Sequence, residues 1–447
     1  MTEIPFCGPD ELRRLNQEFP DRYPFLLQST AHGGELGRFD ILFGFPGDTL
    51  CLESSGRLSG RTGARQGGFL AALDEWWADE RASPASSVLP FTGGWFLYLG
   101  YELAAEVEAS LTLHNDPVLP VAFAVRCPVA VVHDHETGQS KLVMEQNDSA
   151  IAKQVSADLD ILPRERAKLS AHRLAVVEDE ATRYTDAIIE AKRHIAAGDI
   201  YQANLSRQWT LTVTDETSSE AVYASLCVAN PGPFAGIAHW RGASVISSSP
   251  ERLLSVRDGV ISTRPIAGTR RRGDSAADDE DLSSELFAHP KERAEHIMLI
   301  DLERNDLGRV CKAGTVDVDE MMVLESYAHV HHIVSNVRGD LRDEVTPGEA
   351  IAAVFPGGTI TGCPKVRCMQ IIDELEAAPR GAYTGSFGYL NRDGSMDLNI
   401  LIRTMVKQGN QIRFRAGAGI VADSEPQAEL DEARAKAEGM LRALGHA

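Results

Sequence analysis

Four glutamates pose the first chemical question. Glu292 and Glu295 stand three apart in KERAEH, and Glu429 and Glu432 repeat that spacing in ELDEARAK. On a helix, residues three apart share a face. Each pair taken alone reads as a solvated helix face. If the two faces meet, four carboxylates converge, and they cannot all stay ionised without a cation. Oxygen ligands with no Cys or His favour Mg²⁺, which keeps its waters and takes a substrate oxyanion as well. Lys436 lies one turn beyond Glu432 on the same face.

Other segments are suited to anions. FPGGTITGCPK (355–365) is a Gly-rich turn entering a helix, and Thr361 and Gly362 lie at its end. Free amides there attract an anion. Cys363 and Pro364 separate Gly362 from Lys365, and no Ser or Thr follows the Lys, so the spacing of a nucleotide phosphate loop fails and a carboxylate is the better guest. Gly417, Ala418 and Gly419 in AGAGIVADS offer more backbone amides, although glycine there also permits close strand packing. Arg403 in ILIRT can grip a carboxylate through two donors, with the Tyr383 hydroxyl as a third; a structural ion pair is the plainer use for the Arg. His332 in HVHHIVS can bond a substrate hydroxyl, although a lone His is more often structural. RPIAGTRRRG (264–273) crowds four arginines around the small Ala267. Arg270 to Arg272 either draw an anionic substrate or brace the turn through salt bridges.

These groups need a scaffold. Helical periodicity marks 69–81, 182–199, 290–308, 363–378 and 426–444, the last with Ser424 as a cap and Pro426 in its first turn. Strands are read over 201–213, 396–408 and 411–422, and as a strand, a turn and a second strand over 244–268. The pattern predicts an α+β fold of largely antiparallel sheets, a sandwich core flanked by helices. Residues 1–145 form an N-terminal region, 146–182 a connecting segment and 183–447 a catalytic region. The apolar stretch 117–132 holds three prolines and Arg126, too broken for a membrane span. The 447 residues carry a net charge of −21, which repels nucleic acid and anionic lipid. Seven scattered cysteines and no signal pattern place the protein in the cytoplasm.

In order, SPERLL, RPIAGT, KERAEHIMLIDLERNDLGRV, HHIVS, FPGGTITGCPKVRCMQIIDELE, GAYTGSFGYL, IRT and GAGIVADS resemble the chorismate-utilising enzymes: anthranilate, aminodeoxychorismate, isochorismate and salicylate synthases. The likeness runs over 183–445. RYPFLLQS and FTGGWFLYLGYEL resemble the N-terminal domain of the first two, which carries a tryptophan pocket in relatives. The resemblance implies the fold of that family and a set of roles. Glu295 and Glu432 would ligate Mg²⁺, and Glu292 and Glu429 would hold its waters. The cation would grip the ring carboxylate of chorismate beside the amides of 417–419. Tyr383 and Arg403 would hold the pyruvyl carboxylate. Glu251, in SPER, would be the general acid for the C4 hydroxyl; alone, it reads as a surface carboxylate paired with Arg252.

Water-using relatives carry Lys where Gln202 falls. Gln takes no proton near neutral pH, so the resemblance implies a nitrogen nucleophile: ammonia, supplied by a separate glutaminase subunit because no cysteine here sits in a glutaminase-like turn. Ala267 matches anthranilate synthases, whereas aminodeoxychorismate synthases carry a nucleophilic Lys there; Ala cannot form that adduct. TITGC, Asn204, FLYLGYEL and the chain length follow the aminodeoxychorismate pattern. The reading taken is a Mg²⁺-dependent transferase that aminates chorismate at C4, toward para-aminobenzoate and folate. Anthranilate formation, by a lyase, is the alternative, and a non-catalytic subunit binding tryptophan or a glutaminase is a distant one. Gln28 stands where feedback-inhibited relatives carry Glu.

Overall fold

The computed structural model describes residues 2–4, 7–31, 37–61, 68–83, 87–163, 175–273, 275–288, 290–326 and 330–446; the side chains of Ala267 and Glu292 lie outside the described atoms. Two large sheets, antiparallel at every assigned pairing, face each other in an α+β arrangement with helices outside. In the first, the strands Phe25–Gln28 and Phe234–Trp240 join N-terminal strands to a group containing Ala243–Ser249, Thr404–Gln408, Gln411–Ile420 and Gln202–Thr212. In the second, Gly94–Leu99 pairs with Ser386–Asn391 and so joins the N-terminal strands to Met396–Asn399, Arg252–Arg257 and Val330–Asp340. Strands of 1–145 and of 183–447 therefore share both sheets and the same hydrophobic clusters.

The sheets meet through aromatic rings. Phe25 of the first stacks on Phe96 of the second, and Trp240 of the first on Phe123 of the second, each pair with centroids 4.0 Å apart. GWFLYL (94–99) is buried throughout, which explains why it reads as an unbroken apolar run rather than an alternation. No helix among the described residues is long and apolar enough to cross a membrane.

Two strand readings need correction. Residues 396–408 are not one strand: Met396–Asn399 belongs to the second sheet and Thr404–Gln408 to the first. Residues 400–403 carry the chain across, and Arg403 turns it in the left-handed region at φ 51°. Likewise, 244–268 is not two strands. Ala243–Ser249 lies in the first sheet, and Arg252–Arg257, Val260–Thr263 and Ile266–Arg271 are three separate strands of the second. The chain changes sheets at Pro250 and Glu251. The two crossings are bonded together: Ile400 N–H donates to the Glu251 carbonyl at 3.0 Å, and Ser248 N–H to the Arg403 carbonyl at 3.2 Å. Backbone leaving a ladder is free to aim its side chains away from the sheets, and both Glu251 and Arg403 stand at these crossings.

Candidate active site

Glu251 is 5% exposed. The Thr359 hydroxyl donates to its Oε1 at 2.7 Å. Burial pushes its carboxyl up to about 7, against the pull of Thr359, the Ile266 backbone and the Arg403 charge. Such a group keeps a large protonated fraction near neutral pH and can give its proton away. Arg252, the partner considered for it in the sequence, instead forms a two-pronged pair with Asp397 at 2.8 and 2.9 Å.

Arg403 Nη1 reaches Asn230 Oδ1 at 3.5 Å. Burial pulls its pKa down while the Glu251 charge pulls it up. His332 is 2% exposed, and burial, then Arg403, lowers it to about 3, so its imidazole is neutral. Ala267 and Thr269 pair in register with Ile333 and His332, and a bulge at Gly268, φ 77°, lies between. Tyr383 is buried, its phenol pushed up to about 12, with the Arg380 guanidinium 5.5 Å from the ring centre. Its hydroxyl remains a donor.

The helix Pro426–Ala443 packs on the strand Gln411–Ile420, and the other acidic helix is reached through Gln202 on the neighbouring strand. The ladder of Gln411–Ile420 to Thr404–Gln408 ends at Phe414, whereas its ladder to Gln202–Thr212 runs on to Ile420. Beyond Phe414, amides facing away from Gln202–Thr212 have no strand partner in that ladder. Gln202 Nε2 donates to Glu295 Oε1 at 2.9 Å, Glu295 being on the helix Pro290–Gly308. A Cβ added at Gly419 would lie 2.3 Å from Gln202 Nε2 and 3.5 Å from Glu295 Oε1. From the helix Pro426–Ala443, Lys436 Nζ bridges Glu432 Oε1 at 2.7 Å and the Gly417 carbonyl at 3.0 Å. Glu295 thus lies beside Gly419, while Glu432 is linked to Gly417 through Lys436. Glu429 is buried on that last helix. Among the described residues no three His, Cys, Asp or Glu side chains already form a metal cage. Mg²⁺ needs none: it takes one or two carboxylates and keeps its waters. Glu295 and Glu432 offer oxygen donors of the kind that ion takes, one bonded to Gln202 and the other paired with Lys436.

Thr361 is fully buried, its hydroxyl turned to the Gly357 carbonyl at 2.9 Å and its carbonyl to Asn204 N–H. Gly362 takes φ 134° and pairs with Ala203; a Cβ there would sit 2.1 Å from the Gln202 carbonyl. The turn therefore buttresses the Gln202 strand.

Sequence reasoning missed three features. Thr359, the donor to Glu251, lies 108 positions away and had no visible signal. Glu303 is buried and raised to about 8, mainly by burial and then by Asp306, which itself binds Lys365 Nζ at 2.5 Å. Glu376 is gripped by Arg380 at 2.6 Å and Arg415 at 2.9 Å, and accepts from Ser206 N–H and hydroxyl at 2.8 and 2.9 Å; only the Glu376–Arg380 spacing of four was legible. The arginine turn resolves toward bracing: Arg272 pairs with Asp279 at 2.7 Å, Arg271 with Asp278 at 3.5 Å and Arg270 with Glu285 at 3.8 Å.

A cavity of about 1570 Å³ lies elsewhere. Leu27, Gln28, Phe39, Phe234 and Tyr389 line part of it. Gln28 is engaged there, accepting from Arg13 Nε at 2.8 Å and donating to Asp40 Oδ2 at 2.7 Å.

A buried acid beside an arginine, with carboxylates gathered at a glycine strand, defines a site for a small anion. Residues 25–442 match the model of the chorismate binding enzymes, and the chain belongs to that family. It is 44% identical over 359 residues to an anthranilate synthase component I-like protein of Synechocystis sp., spanning 80% of this chain and 73% of that one. It is 38% identical over 462 residues to aminodeoxychorismate synthase component 1 of Bacillus subtilis, spanning 99% and 96%. Anthranilate synthase component I from Streptococcus pneumoniae has the same fold, with a TM-score of 0.81 and 32% identity over 92% of this chain and 93% of that one. The protein is a chorismate-utilising enzyme.

Proposed function

We propose that the enzyme aminates chorismate at C4, as an aminodeoxychorismate synthase component I does. The observation that carries amination is Gln202: 4% exposed, bonded to Glu295, and unable to activate water as a base. The motif pattern around TITGC and Asn204, and the end-to-end match to the Bacillus subtilis enzyme, support C4.

Arg403 and Tyr383 would hold the pyruvyl carboxylate. Glu295 and Glu432 would ligate Mg²⁺, with Glu292 and Glu429 on its waters, beside the 417–419 strand. When bound, the cation stabilises charge on the ring carboxylate. Glu251 gives its proton to the C4 hydroxyl; the C4–O bond breaks and water leaves. Ammonia forms the new C4–N bond and then loses a proton, which restores Glu251. Neutral His332 can bond a hydroxyl of the substrate. Ammonia comes from a separate glutaminase subunit, or from ammonium in vitro. Tryptophan, if the N-terminal region takes it, fits the cavity beside Gln28; calorimetric titration with tryptophan tests that.

Anthranilate formation is the second reading, favoured by Ala267 and by the Synechocystis relative. Purified protein with chorismate, Mg²⁺ and ammonium decides between them, with and without the lyase that converts aminodeoxychorismate to para-aminobenzoate. The C4 reading expects para-aminobenzoate only with the lyase. Anthranilate fluorescence without it establishes the second reading instead.

A further inference from the structure

The strand Gln202–Thr212 sends Gln202 toward Glu295 and Ser206 toward Glu376. Its ladder to Gln411–Ile420 is unbroken from Ala203 to Thr212, and strand side chains alternate, so Asn204 shares their face. Across the ladder, Gly419 stands opposite Asn204 and Gly417 opposite Ser206, and neither fills the space with a side chain. Two buried oxygens on this face have no hydrogen-bond partner among the described residues: Oε1 of Gln202 and Oδ1 of Asn204. Gln202 Nε2 is committed to Glu295, so the amide oxygen is the end that remains. Buried acceptors without donors are uncommon because their desolvation is uncompensated. Two on one face, about 7 Å apart along the backbone, form an acceptor pair waiting for a donor.

We propose that Asn204 and Gln202 together seat the nitrogen nucleophile, each amide oxygen accepting one N–H of ammonia. This rests on the amination reading and extends it to a residue with no role assigned above. Ammonia carries three N–H donors and one lone pair. Two fixed acceptors take two donors and leave the lone pair free to turn toward the ring. As the C–N bond forms, the nitrogen becomes cationic, and the same hydrogen bonds become charge-assisted and stronger. The pair therefore contributes more in the transition state than on binding.

The test is steady-state kinetics on the full-length protein, following chorismate consumption with ammonium varied at saturating chorismate, and then the reverse. Asn204→Ala should lower kcat/KM for ammonium by about tenfold or more, with kcat falling as well, since the lost hydrogen bond is strongest in the transition state, and leave the KM for chorismate unchanged. Asn204→Asp, which keeps an oxygen in place, should restore most of the loss and remains readable if the Ala variant unfolds. An unchanged kcat/KM for ammonium in Asn204→Ala overturns the proposal, as does a KM rise confined to chorismate, which would mean that the pair binds a ring hydroxyl. An Asp variant that stays folded and is as impaired as Ala also overturns it. Failure of the amination reading looks different: the wild-type protein would then consume no chorismate in response to ammonium.

Discussion

Glu251 and Glu376 are buried almost equally, at 5% and 7% exposure, yet they sit on opposite sides of ionisation. Burial raises both. At Glu376 the guanidiniums of Arg380 and Arg415 outweigh it and hold the carboxylate below its ordinary range. At Glu251 a hydroxyl, a backbone amide and the charge of Arg403 do not, and the group stays near 7. Burial alone therefore does not set the protonation state; the cations within bonding reach do. One carboxylate becomes a knot that fixes the 202–206 strand, and the other an acid ready to act.

Exchanging each carboxyl for its amide should break the two regions in opposite ways. Glu251→Gln removes the proton donor, and turnover should fall by roughly 10²–10⁴-fold with no loss of stability. A variant that retains turnover would remove Glu251 from the chemistry. Glu376→Gln leaves Arg380 and Arg415 buried without their countercharge and should cost about 3–5 kcal/mol of stability, read by chemical denaturation. If Glu376→Gln were as stable as the wild type, the knot would hold nothing.

A pH series sharpens the contrast. The folded protein holds the Glu251 proton up to about 7, and the unfolded chain releases it near 4.5. Between those values the native state binds more protons, so stability from this group falls as pH rises, by about 3 kcal/mol at most. Glu303, raised to about 8, adds a slope of the same sign. Turnover should also decline above about pH 7 as Glu251 ionises. Glu251→Gln should flatten part of the stability slope. A slope that is the same in wild type and variant would place the titration elsewhere.

The sequence made some of this legible and hid the rest for physical reasons. The helices Pro290–Gly308 and Pro426–Ala443 were read closely because their spacing, Pro starts and glutamate pairs are local signals. The crossing at 400–403 was invisible: ILI (400–402) is an apolar run that suits a strand of either sheet, and nothing local reports which sheet a residue joins. For the same reason Glu251 was found by resemblance, while its hydroxyl donor Thr359 was not. The arginine turn had a readable partner in the acidic run DDEDLSSE directly after it, yet only the structure shows Arg272 on Asp279. Whether Ala267 and Glu292 point as the family pattern implies lies outside the described atoms.

The smallest effects test whether one strand belongs to both regions. Gly417 stands opposite Ser206, which binds Glu376; Gly419 stands opposite Asn204 and against Gln202. A Cβ at Gly417 would lie 2.0 Å from the Leu205 carbonyl, which is backbone inside a ladder and cannot step aside. Gly417→Ala should therefore lose about 1–3 kcal/mol of stability. At Gly419 the obstacle is the end of a side chain, Gln202 Nε2. Gln202 can swing away, so Gly419→Ala should lose only about 1 kcal/mol, the worth of the bond to Glu295, while ammonium-dependent turnover falls. Equal stability losses would mean that the strand is rigid along its whole length. A Gly419→Ala enzyme with intact turnover would mean that the bond between Gln202 and Glu295 does not position the reacting groups.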